Sequence, residues 1–135
     1  MKFVRTLTVS ALLASLSMGA AWAADLVVIA NPAMGPLTKD QVADLFLGKN
    51  PALTPIDQAD GAPIYADFYK KATGRDPAQV KSTWSRIVFT GKGQPPKQLP
   101  DSAAVKKAVA ADPKGVGYIE KSAMDGTVKV VLSLD

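Results

Sequence analysis

The chain has 135 residues, with no cysteine, no histidine, and 16 Lys and Arg against 12 Asp and Glu. Without those two residue types there is no disulfide stapling and no thiol nucleophile, and the commonest general base and metal ligands are missing. Setting aside Lys2 and Arg5, which belong to the leader read below, leaves 14 basic against 12 acidic residues, a net +2 that gives no electrostatic case for nucleic acid.

Met1 to Arg5 is a short basic stretch, Leu7 to Ala21 an uncharged apolar run, and Ala21-Trp22-Ala23 places small residues where a signal peptidase reads. This order is the secretory signature, and the run is too short for a comfortable span of roughly 20 residues. Residues 1-23 are therefore expected to be a signal peptide cleaved after Ala23. Residues 24-135 are then a single periplasmic domain that is not inserted in the membrane.

Asp25 to Asn31 is nearly continuous in β-branched and apolar residues, as expected for a strand buried on both faces. A Gly/Pro-rich loop follows over Pro32 to Pro36. Thr38 to Leu47 reads as a helix: Thr38 and Gln41 are spaced as a capping box, Leu37 and Val42 as a hydrophobic staple, and Gly48 supplies the left-handed stop. Leu53 to Asp57 is a short strand that Pro55 assigns to an edge or crossing segment. Pro63 suits the first turn of a helix in which Ile64, Phe68 and Ala72 recur every four residues, with Tyr65 and Tyr69 beside them, and Gly74 ends it.

Asp76-Pro77-Ala78-Gln79 opens another helix, with Val80, Trp84, Ile87 and Val88 as its expected buried stripe. A loop over Thr90 to Pro96 follows, then a helix from Ser102 to Ala111 with Val105, Ala108 and Val109 inward. Val116 to Ile119 and Val128 to Leu134 are the last strands, separated by a turn at Asp125-Gly126. Strands at both ends with helices between them predict an α/β class, with helices packed on a small mixed sheet.

Few residues offer chemistry. Asp57, Asp60 and Asp67 lie close in sequence, but nothing supplies a partner base or electrophile, so no catalytic residue, cofactor or metal is expected. Trp84, Phe46 and Phe68 fall on inner helical stripes and read as core, while Tyr65 and Tyr69 are placed to line a groove with their hydroxyls. Thr90-Gly91-Lys92-Gly93 lacks the spacing of a phosphate loop. It is either a turn after the tryptophan helix or a set of amides that, with Lys92, faces an anion. The turn Asp57-Gln58-Ala59-Asp60-Gly61-Ala62 precedes a helix entrance whose amides attract anions, although Asp60 is equally placed to cap that helix itself.

Several segments together resemble the phosphate-type solute-binding proteins of ABC transporters. Asn31-Pro32 followed by Leu37 to Lys49 is similar to that family's strand and "IFLGK" helix. Asp112-Pro113-Lys114-Gly115 with Val116-Gly117-Tyr118-Ile119 is similar to its "TPGAIGYV" return strand. Trp84 to Pro96 resembles a subgroup of short stand-alone relatives with an "FTGKG" and double-proline pattern. The resemblance covers nearly all of residues 24-135. It implies one lobe of a type II periplasmic binding protein, without catalysis, linked to binding or uptake of phosphate or another small oxyanion, with a membrane transporter or sensor as partner. Taken with the glycine turn and the helix entrance above, the candidate ligand contacts are Asn31, Asp57, Gln58, Gly61, Ala62, Ile64, Thr90, Gly91 and Lys92. The chain departs from the family in two places: its Ser-Gly-Thr is here Ala62-Pro63-Ile64, and Asp57 stands near its Arg. These departures leave a rival reading, a periplasmic protein-interaction or sensing module that has lost small-ligand binding, and leave homodimerisation open.

Overall fold

A computed structural model describes residues 25–134, so the expected signal peptide and its cleavage site lie outside the described residues. In chain order the elements are β1 (Leu26–Ala30), α1 (Lys39–Phe46), β2 (Thr54–Gln58), α2 (Pro63–Thr73), α3 (Pro77–Phe89), β3 (Lys97–Leu99), α4 (Ser102–Ala111), β4 (Gly115–Glu120) and β5 (Lys129–Leu134). The strands form one mixed sheet in the order β3-β2-β4-β1-β5. β1 runs antiparallel to β4 and β5, while β2 runs parallel to β3 and β4. This is the α/β class with helices on a mixed sheet that the sequence predicts. Among the described residues no helix is long and apolar enough to cross a membrane.

The continuous apolar character of β1 has the expected cause. All five of its residues are buried, and alternate side chains serve opposite faces. Leu26, Val28 and Ala30 join a core built with α1, α2 and α3, whereas Val27 and Ile29 join a second core with Val105 and Val109 of α4.

Local end signals position the helices. Thr38 and Gln41 make the reciprocal capping box of α1, and Asp76 and Gln79 that of α3. Gly48 and Gly74 take φ of 82° and 72°, the left-handed backbone that closes α1 and α2. Gly48 is also held by contact, because a Cβ there would lie 2.8 Å from Ile87 and 3.1 Å from Trp84. The Trp84 indole N–H donates to the Phe46 carbonyl at 2.9 Å, which ties α3 to the end of α1.

Two expectations are corrected, and one strand is added. β2 is not an edge strand but lies between β3 and β4. Pro55 is tolerated there because it sits at the start of the strand, ahead of the β3 pairing, which begins at Ile56 opposite Lys97. The edge on that side, β3, is three residues of mixed polarity that the sequence pattern did not reveal. Val88 is not part of a buried stripe. α3 packs mainly on α2; in its last turn Ile87 packs against the core beside Gly48, but Val88 and Phe89 turn away from it and are 41% and 92% exposed.

Gly117 lets α4 lie close to the sheet, since a Cβ there would meet Val105 at 2.6 Å and Val109 at 3.1 Å. Gly117→Ala is therefore expected to lower stability by about 1–3 kcal/mol through overpacking. Urea unfolding should show a lower midpoint at unchanged slope.

Candidate functional site

Consecutive residues of a strand point to opposite faces, and at the end of β2 this sends two buried polar side chains apart. Asp57 and Gln58 are each 2% exposed. Asp57 turns toward α2 and α3. The Tyr69 hydroxyl donates to its Oδ2 at 2.6 Å, and the Tyr118 hydroxyl and the Gln58 amide both donate to its Oδ1, the amide at 2.9 Å. Gln58 turns toward α4, where its Nε2 donates to Ser102 Oγ and to the Tyr118 carbonyl, each at 3.0 Å. Tyr118 is held by Phe68, whose ring stacks on it at 3.8 Å and within 5° of parallel.

Burial dominates the electrostatics. It pushes the Asp57 carboxyl up to about 6, against hydrogen bonds from Tyr118, Tyr69 and the Gln58 amide that pull it down. Tyr69 and Tyr118 are pushed far above the ordinary phenol range, first by burial and then by the Asp57 charge. Tyr65 is pushed up to about 12, by burial and then by Asp57 and Asp60. Both phenols bonded to Asp57 therefore stay protonated and act as donors.

Two concavities flank this dipeptide. On the Asp57 side a cleft of about 530 Å³ is lined by Tyr65, Tyr69, Trp84, Val88, Phe89, Pro95, Pro96 and Gln98, with Lys81 and Ser85. Tyr65 and Tyr69 thus line a groove, as their position beside the buried stripe predicts. On the Gln58 side a pocket of about 400 Å³ lies between the entrances of α2 and α4, lined by Ala62, Pro63, Ile64, Asp101, Ser102, Ala103 and Glu120. It sits beyond the carboxyl ends of the parallel strands β2 and β4, the usual place for ligands in such sheets.

The residues read from the sequence divide accordingly. Gln58, Ala62 and Ile64 meet in the second pocket, and Asp57 faces the first. Asp60 does not cap α2, which has no side-chain cap, and instead pairs with Lys81 at 3.0 Å. Beside Gly61 the backbone is open, but the Ala62 amide closes a turn on the Ala59 carbonyl and Pro63 has no N–H. Asn31 lies at the other end of the sheet, its Nδ2 donating to the Ala110 carbonyl at 3.4 Å. Thr90, Gly91 and Lys92 form the turn that ends α3. Their amides bond the carbonyls of Arg86, Val88 and Ile87, so these three amides are already used within the turn.

Ser102 and Tyr118 escaped sequence reasoning. The signal for Ser102 was a serine just after a capping aspartate, for Asp101 accepts from the Ala104 amide at 2.8 Å. For Tyr118 no local signal existed, since its partner Asp57 lies far away in the chain. Among the described residues no three acidic side chains converge as a metal-ligand cluster.

Because the folded carboxyl of Asp57 titrates near 6 rather than at 3.8, its protonated form is favoured by the fold. The associated stability is fully present below pH 3.8 and is lost as pH rises through about 6, amounting to about 3 kcal/mol. Asp57→Asn, which keeps an acceptor for Tyr118 and can donate to Tyr69, is expected to remove this slope in urea unfolding measured between about pH 4 and 6.

No family profile matches the sequence, and no curated protein matches it. Solved structures do resemble it. A putative phosphate ABC transporter substrate-binding protein with bound phosphate from Clostridium perfringens matches 80% of this chain and 45% of its own, at 17% identity and TM-score 0.62. An ABC-type phosphate transport receptor from Vibrio cholerae matches 80% and 46%, at 14% identity and TM-score 0.61. PstS from Borrelia burgdorferi matches 71% and 41%, at 14% identity and TM-score 0.50. The chain thus spans a little under half the length of these proteins, and the fold it shares is that of part of a phosphate-transport receptor.

Proposed function

We propose that this chain is an exported, non-catalytic solute-binding-like domain whose ligand is a phosphate-type oxyanion, held in the pocket between α2 and α4. The observation that carries this reading is the convergence of two helix entrances on one hydroxyl. Among the described residues the amides of Ile64, Ser102 and Ala103 have no acceptor. Gln58 Nε2 fills the acceptor side of Ser102 Oγ, which leaves the hydroxyl hydrogen to donate outward. Amides at helix entrances with a neighbouring hydroxyl are suitable donors for an oxyanion. The likeness of the fold to phosphate receptors supports the same reading, and a membrane transporter component is the partner it implies.

The charges in this pocket oppose tight binding. Asp101 and Glu120 line it, and among its lining residues no cation offsets them. With about half the length of the receptors, the chain also supplies one wall of the site. We therefore expect Kd for inorganic phosphate of about 1 mM or weaker. Amide NMR during a phosphate titration should shift Ile64, Ser102 and Ala103 together, and Ser102→Ala should weaken the response about tenfold. An unchanged spectrum at these positions up to about 50 mM phosphate, roughly fifty times a Kd of about 1 mM, rejects the reading.

A further inference from the structure

The cleft on the Asp57 side has the opposite chemistry to the oxyanion pocket and is not used by it. Its walls are aromatic and apolar, its polar end is a buried carboxylate, and Phe89 stands at it 92% exposed. We propose that this cleft is a second binding site, for a small organic cation: an ammonium group directed at Asp57 and Tyr65, on an apolar body lying against Trp84, Val88 and Phe89.

Charge supports this choice. Asp57 lines the cleft, and the Lys81 ammonium that also lines it is already engaged by Asp60 at 3.0 Å. Asp57, Asp60 and Lys81 together leave one negative charge in excess. Both carboxylates act on the Tyr65 hydroxyl, raising its phenol, so the same spot favours an incoming cation and repels an anion.

Hydrogen bonding supports it as well. A carboxylate has about four accepting positions. Asp57 uses three, for the two tyrosine hydroxyls and the Gln58 amide, and its Oδ2 takes Tyr69 alone. Although Tyr65 is 3% exposed, its hydroxyl makes no hydrogen bond to the described residues. An ammonium group brings three donors and no acceptor, which suits a spare carboxylate position beside a phenol oxygen.

Shape gives the third argument. A cleft of about 530 Å³ matches the size of small-molecule sites, which are mostly apolar with a few directed polar groups. Trp and Tyr rings hold cations over their faces as well as apolar groups. An almost fully exposed phenylalanine at the edge of such a cleft gains burial only when something occupies it.

The test is calorimetry and amide NMR on the purified protein at neutral pH, with three probes of similar size: 2-phenylethylamine, 2-phenylethanol and phenylacetate. The amine should saturate with Kd of about 1 mM or tighter, shifting Ser85, Phe89 and Gln98, and should bind at least about tenfold more tightly than phenylacetate. Phe89→Ala, at a position the fold does not bury, should weaken the amine about threefold or more. Asp57→Asn should remove the preference for the amine over the alcohol, a change that a merely structural role for this carboxylate would not produce. Equal binding of amine and acid, no saturation by about 20 mM amine, or an unchanged Phe89→Ala variant would overturn the proposal. The proposal stands or falls independently of phosphate binding at Ser102, because the two sites carry separate probes and separate shifts.

Discussion

The constraint on which the rest depends is the burial of one carboxylate. Asp57 is enclosed at the end of β2 by donors from its own strand, from α2 and from β4. A buried charge without partners would cost several kcal/mol. Here Tyr69 and Tyr118 supply charge-assisted bonds, and the aromatic stack of Phe68 on Tyr118 holds one donor in place. The consecutive elements β2 and α2 and the distant strand β4 are thereby brought to one pair of oxygens. That fixes where β2 ends, and with it the direction in which Gln58 reaches toward Ser102. The two concavities are consequences of strand geometry at this point: one member of the dipeptide faces each of them.

Much of the fold was readable because its signals are local. Capping boxes at Thr38/Gln41 and Asp76/Gln79, left-handed glycines at 48 and 74, and the unbroken apolar run of β1 are each decided within a few residues. What escaped was decided at a distance. β3 owes its place to pairing with β2 rather than to its own composition, and Pro55 looked like an edge marker because its harmless position at the strand start depends on where β3 begins. Val88 fits a helical stripe, but whether a stripe is buried depends on the presence of a neighbouring element. The site was legible in the same proportion. Gln58, Ala62 and Ile64 were found from a helix entrance, whereas Ser102 arrived from a second helix and Tyr118 from a strand far along the chain. The amides of Gly91 and Lys92 were already consumed by the helix they follow.

The comparison with phosphate-transport receptors separates scaffold from site. The backbone follows part of those proteins at 14–17% identity, so the fold persists on a largely different set of side chains. Fold and ligand are distinct claims. In this chain the entrance of α2 carries alanine, proline and isoleucine, and Asp57 stands near the place where the family resemblance puts an arginine. Reversing the sign of that buried charge changes what the neighbouring surface can attract, even though the sheet order is undisturbed.

β3 bears on how the Asp57 cleft behaves. This strand has three residues, is bonded only to β2, and supplies Gln98 to the cleft just after the prolines at 95 and 96. One wall of the cleft is thus the most weakly anchored strand of the sheet, while the opposite wall is the well-capped α3. Local opening is easiest where pairing is short and burial slight. The cleft therefore gives way most readily at its outer margin, where Leu99 is the β3 side chain that holds the strand to a hydrophobic core, so occupants of different girth are accommodated on that side first.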